Sequence, residues 1–155
     1  MNKLIVVAAL ALMAAVGGAA PAPAAVWLTD LPQAQTLAKA QHELLLLDFT
    51  GSDWCPGCID LKKHVLDNPA FLAYAATNVV LVEVDFPDKK VQPDTLKKAN
   101  EKLSEQYNIE VFPTLVILDA NGKVVGRQEG YAGEDVAVYI SALDKIRTAK
   151  GGAGK

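Results

Sequence analysis

The sequence predicts an α/β domain built on a mixed sheet of four to five strands with helices on both faces. Three observations carry this. Short apolar runs at 44–49, 79–85 and 114–118 alternate with segments whose apolar residues recur every three or four positions, the pattern of strands separated by helices. Asn121-Gly122 stands just after an apolar run and just before another, a strong local hairpin signal that makes one strand pair antiparallel. The composition, 51% hydrophobic and 21% charged over 155 residues, is that of one globular domain with a core rather than a disordered chain.

The elements follow in order. Leu31 to Glu43 reads as a helix, with Leu31, Ala34, Leu37 and Ala38 at helical spacing. Leu44 to Phe49 is too short for a helix and suits a buried strand, and Thr50 to Asp53 is loop chemistry. A helix is predicted from Cys55 or Pro56 to about Leu66, with Pro in its first turn. Asp67-Asn68-Pro69 breaks it and opens a short helix through Phe71 and Tyr74. Val79 to Asp85 is a second strand, Phe86 to Gln92 a polar connector, and Pro93 to about Tyr107 a charged amphipathic helix with Leu96, Ala99 and Leu103 inward. Thr114 to Leu118 and Lys123 to Glu129 are the hairpin strands. The last helix runs to about Arg147 with Val136, Ile140, Leu143 and Ile146 on one face. Phe71 and Tyr107 read as core or half-buried anchors.

The ends read differently. Lys3, the apolar run Leu4 to Val16, then Gly, Ala and Pro residues reproduce the order of a secretory signal peptide, with Ala22-Pro23-Ala24 as its cleavage pattern. The run falls short of the ~20 residues a spanning helix needs. Residues 1–24 are therefore read as a signal peptide, 25–148 as the domain and 149–155 as a disordered tail, which implies a periplasmic or secreted protein. An oxidising compartment lets disulfides form and persist.

Composition also excludes. A formal net charge of −3 offers no basic surplus for nucleic acid. Two Cys cannot make a disulfide-dense scaffold. Zinc sites with three or four thiolates need more Cys, and His42 and His64 do not stand at finger spacing from the cysteines. No metal and no cofactor is expected.

The informative stretch is Trp54-Cys55-Pro56-Gly57-Cys58. A bare Cys-x-x-Cys is a redox pair, half a metal site or a coincidence. The redox reading has a mechanism: Cys55 lies where a strand-end loop meets a helix start, and the unpaired N–H groups and positive dipole end there stabilise a thiolate. Cys58, about one turn on, is placed to displace a mixed disulfide. Pro56 stiffens the turn and Gly57 permits close backbone approach of a partner.

Trp-Cys-x-x-Cys after an apolar strand ending Asp48-Phe49, together with Val111-Phe112-Pro113-Thr114 before another strand, resembles the thioredoxin superfamily. The resemblance runs from about Leu31 to Ile146. The approach from Asp48 to Cys55 is similar to that of exported bacterial thioredoxin-like proteins more than to cytosolic thioredoxin. The resemblance implies a thioredoxin fold, with Cys55 attacking and Cys58 resolving. It implies that Trp54 flanks the disulfide as an apolar docking surface, that Pro113 is cis and faces the cysteines, and that Phe112 offers backbone groups to an extended peptide. Asp48 matches the family's buried acid, which helps take the proton from the resolving thiol.

Departures from the pattern are visible. Asp48 stands one residue farther from the motif than in plain thioredoxins, the dipeptide is Pro-Gly rather than Gly-Pro, and Leu81 occupies the position matching a Lys often paired with the acid. The connector and helix from Phe86 to Tyr107 are longer, and their lysines and glutamates read as a solvated face. Asp53 either tunes the local field or is loop polarity; His64 reads as a surface residue. Gly130 matches a family glycine beside the active-site surface, or is a strand-end bulge.

The expected function is a thiol–disulfide oxidoreductase acting on protein thiols and disulfides outside the cytoplasm. The expected form is a monomer supplied with electrons by a membrane-bound donor. Two alternatives stay open: a peptide-binding module braced by a static disulfide, and a metal-delivery protein. The direction of electron flow is not written in the residues.

Overall fold

The computed structural model describes residues 25–151. The signal-peptide segment and the last four residues of the predicted tail lie outside the described residues. Five strands, β1 (Trp27–Leu28), β2 (Leu44–Thr50), β3 (Val79–Asp85), β4 (Thr114–Leu118) and β5 (Val124–Glu129), form one sheet in the order β1-β3-β2-β4-β5. The helices are α1 (Leu31–Gln41), α2 (Pro56–Leu61), α3 (Pro69–Ala75), α4 (Asp94–Gln106) and α5 (Val136–Gly151). No helix among the described residues is long and apolar enough to cross a membrane.

The central strand β2 is buried along its whole length, which is why it reads as a continuous apolar run rather than an alternation. It pairs with β3 in parallel and with β4 antiparallel, and β4 pairs with β5 antiparallel across the Asn-Gly turn. Two strand pairs are thus antiparallel where the hairpin signal alone gave one. The turn is closed by Asp119, whose Oδ1 accepts from the N–H groups of Asn121 and Lys123, and Gly122 takes a positive φ of 82° that a side chain would resist. The two-residue strand β1 is too short to leave a periodic signal; it adds to the far edge of β3 in parallel.

Helices cover both faces. On one face Leu44, Leu46, Val79 and Leu81 meet Leu61, Val65 and Leu66 of the α2 region, Phe71 and Ala75 of α3, and Tyr139 and Leu143 of α5. On the other, Leu45, Leu47, Phe49, Val82 and Val84 meet Leu31, Ala34 and Ala38 of α1, with Leu103 packed alongside and Tyr107 edge-on to Phe49.

Several helical expectations are corrected. In α1, Leu37 is 40% exposed; Leu31, Ala34 and Ala38 suffice to face the sheet, and Asp30 caps the helix through Gln33 N–H at 2.7 Å. In α4, Ala99 is exposed, Leu96 and Leu103 are half-buried, and Asn100 is the buried residue. Its Nδ2 donates to the Asp85 carbonyl at 2.9 Å, tying the helix to the end of β3. In α5, the apolar face includes buried Tyr139, which the spacing did not select. The helix after the motif is not uniform: α2 gives way to a π turn at Lys62–Leu66, closed by Asp67 N–H onto the Lys62 carbonyl at 2.8 Å. Asn68 then caps α3 through Ala70 N–H.

Candidate active site

The site lies where the C-terminal ends of β2 and β3 meet the start of α2. The loop 51–54 leaves β2, and a Gly51 carbonyl accepts from the N–H groups of Trp54 and Cys55 at 3.3 and 2.9 Å. This places Cys55 as the residue that caps α2. Its Sγ accepts from Cys58 N–H at 3.2 Å, and Pro56, which has no N–H to lose, occupies the first turn. A backbone donor aimed at this sulfur stabilises its thiolate when the pair is reduced. Cys55 and Cys58 are joined as a disulfide with Cα atoms 5.3 Å apart, and both are buried. The Sγ of Cys58 lies 3.5 Å from Gly51 N–H.

The Phe112–Pro113 peptide is cis, and Pro113 packs against the motif: a Cβ on Gly57 would meet Pro113 Cδ at 3.5 Å. Gly130 N–H donates to the Pro113 carbonyl at 2.8 Å, with Gly130 at a positive φ of 71°. Gly130 thus ties the end of β5 to the proline loop. Trp54 is 47% exposed beside the disulfide. Its indole N–H donates to the Phe86 carbonyl at 2.7 Å, and its ring stands edge-on to Phe112, whose ring lies tilted against that of Phe86. An apolar aromatic rim therefore borders the sulfurs.

The loop behind this rim carries further contacts that the sequence did not assign to the site. Gly51 is packed under Trp54 so closely that a Cβ would come within 2.5 Å of the indole. Asp53, read as undecided, is a clasp: its carboxylate accepts from the N–H groups of Asp88, Lys89 and Lys90 at 2.8–2.9 Å. These three donors hold its carboxyl below the usual range. Ser52 donates through N–H and Oγ to the Asp85 carboxylate, and Lys90 Nζ donates to Ser52 Oγ. The longer connector is thus stitched to the cysteine loop. His64 is exposed on the π turn.

Asp48 lies at the buried end of this arrangement, 2% exposed, and its Oδ1 has no hydrogen-bond partner among the described residues. Burial, and then the neighbouring Glu83 carboxylate, push its pKa up to about 7, with Lys62 opposing. The strand register adds a neighbour that the residues alone did not place. Leu81 lies opposite Leu46, and the residue beside Asp48 across the strands is Glu83. The buried acid faces a second acid rather than an apolar residue. Lys62, the nearest cation, commits its ammonium to Asp67 at 2.7 Å and lies 4.8 Å over the Trp27 ring.

Fold and cysteine pair define a class, and comparison with known proteins agrees with it. The family described as "Thioredoxin-like domain" matches residues 31–146. The chain belongs to that family. The chain is similar to a protein of Chlamydia pneumoniae named "Disulfide bond reductase DsbH". The two are 39% identical over 106 residues, 68% of this chain and 63% of that protein. The match therefore spans less than two thirds of this relative's length. A solved structure titled "DsbH Oxidoreductase" superposes with a TM-score of 0.74 at 33% identity, over 86% of this chain and 92% of that one. A thioredoxin from Thermus thermophilus, 22% identical, shares the fold with a TM-score of 0.61 over 84% of this chain and 93% of its own.

Proposed function

We propose that this protein reduces disulfide bonds of other proteins outside the cytoplasm. The observation that carries the reading is the capped, cis-proline-backed Cys55–Cys58 pair beside an exposed aromatic rim. The reducing direction is supported by the likeness to a relative named a disulfide bond reductase. The compartment is supported by the signal-peptide pattern of residues 1–24.

In this reading the Cys55 thiolate attacks a substrate disulfide, forming a mixed disulfide and releasing one substrate thiolate. Asp48 takes the proton from Cys58, whose thiolate then attacks Cys55 Sγ. The Cys55–substrate bond breaks, the Cys55–Cys58 disulfide forms, and the second substrate thiolate leaves. The substrate segment lies extended along Phe112-Pro113 and against Trp54. The oxidised protein must be reduced again, and outside the cytoplasm a membrane-embedded dithiol donor is the fitting source of electrons.

Trapping tests this. Cys58→Ser, incubated with a disulfide-containing protein, is expected to accumulate a mixed disulfide on Cys55 that dithiothreitol releases. Cys55→Ser is expected to form none. If folded Cys58→Ser traps nothing, the groove is a peptide-binding module and its disulfide a brace.

A further inference from the structure

On the face of the sheet that carries the site, alternate residues of β2 run Leu44, Leu46, Asp48, Thr50, and those of β3 run Val79, Leu81, Glu83, Asp85. The face is apolar at one end and becomes a pair of facing acids, Asp48 and Glu83, at the end under α2. Asp48 is sealed. Glu83 is only half-buried, and it lines a surface cavity of about 510 Å³ together with Cys58, Lys62, Lys63, Asp67 and Lys90. Asp48 does not line that cavity; its strand neighbour Glu83 and its client Cys58 do.

We propose that Glu83 is a positioning residue for the exchange reaction, sharing a proton with Asp48 and carrying it between the buried carboxyl and the cavity. This rests on the oxidoreductase reading and deepens it. Once Asp48 holds the proton taken from Cys58, the adjacent Glu83 carboxylate accepts it. Asp48 is ionised again, and Glu83 gives the proton to water in the cavity. The departing substrate thiolate takes a proton from solvent, so charge balances over the cycle.

The surrounding charges favour one shared proton over two ionised acids. Facing Asp48 are Glu83 and Asp85 of β3, with Asp67 beyond; each disfavours its charge, and Lys62 favours it. Burial first raises the pKa of Glu83; among the groups facing it, Asp85 and Asp67 also oppose ionisation, while Lys62 and Lys90 support it. Both lysines are partly engaged elsewhere, Lys62 by Asp67 and Lys90 by Ser52. Two carboxylates side by side with their cations drawn off titrate as a pair.

The test is the pH dependence of the resolving step, read by stopped-flow tryptophan fluorescence on the reduced full chain mixed with a small disulfide. In wild type the rate rises with a midpoint set by the pair. With Glu83→Gln the like charge is gone, so the midpoint falls by about one pH unit. The plateau drops about threefold because Asp48 is then a weaker base without a relay. Glu83→Asp restores the wild-type midpoint. Carbon NMR of the two carboxyls in oxidised wild type needs no variant and should show two shared titration steps. Independent single steps, or a Glu83→Gln profile superimposable on wild type, would overturn the proposal. Absence of exchange by wild type at every pH would overturn the oxidoreductase reading and this proposal with it.

Discussion

Replacing Asp48 by Asn should make the oxidised protein less sensitive to alkaline pH, by an amount the burial sets. An ordinary Asp titrates at 3.8, and in the folded chain Asp48 titrates at about 7. Well below pH 3.8 the group is protonated in both folded and unfolded states and contributes no pH dependence. Between pH 4 and 7 the unfolded chain releases this proton while the folded chain keeps it. The folded state then binds more protons, and stability falls as pH rises. About three pKa units at ~1.4 kcal/mol each come to a loss of ~4 kcal/mol by pH 8. Asn carries no charge and escapes this loss. It does leave a buried amide where Oδ1 already lacks a partner, a cost of about 1–3 kcal/mol that does not vary with pH. The informative quantity is therefore a difference of differences. The stability of Asp48→Asn relative to wild type should improve by ~4 kcal/mol between pH 4 and pH 8, and relief of Glu83 adds in the same direction. Urea titrations of both oxidised proteins at pH 4, 6 and 8 measure it. A relative stability unchanged across that range would refute the assignment of Asp48 as a desolvated acid.

Other expectations follow from the same contacts. Gly51→Ala puts a Cβ into the Trp54 indole; the ring must leave the Phe86 carbonyl, at a cost of about 1–3 kcal/mol in urea unfolding, with a shifted tryptophan emission. Asp53→Ala removes the acceptor of three backbone N–H groups. Hydrogen exchange at Asp88, Lys89 and Lys90 should accelerate while the β2 amides keep their protection. Because those donors hold Asp53 below the usual carboxylate range, the wild-type clasp should persist into mild acid, which the same exchange measurement at pH 4 checks. Phe71→Ala empties a fully buried site between α3 and the sheet and should cost about 3–5 kcal/mol, read as a lower urea midpoint with the exchange chemistry intact in the folded fraction.

What could be read in advance was local. Trp54, the two cysteines and Pro56 declare themselves by adjacency, and Asn121-Gly122 declares the hairpin. Phe112-Pro113 was legible only through resemblance, since nothing nearby says that the bond is cis or that it faces residue 57. What could not be read depends on pairings between distant segments. That Glu83 stands opposite Asp48 was not legible, because it depends on strand register, and a shift of two residues keeps every side chain on its face while changing its neighbour. Asp53 stayed undecided because its three donors come from 35 to 37 residues away. Asn100 was passed over because helical spacing ranks apolar residues, whereas the end of β3 needed a donor for the Asp85 carbonyl.

The most direct test of the central claim is the equilibrium reduction potential of the Cys55–Cys58 pair, measured in glutathione or dithiothreitol buffers by alkylation of free thiols. A reductant of protein disulfides should lie toward the thioredoxin end of the scale, about −270 mV. A value toward −120 mV, the oxidant end, or a folded protein whose disulfide does not exchange at all, would contradict it.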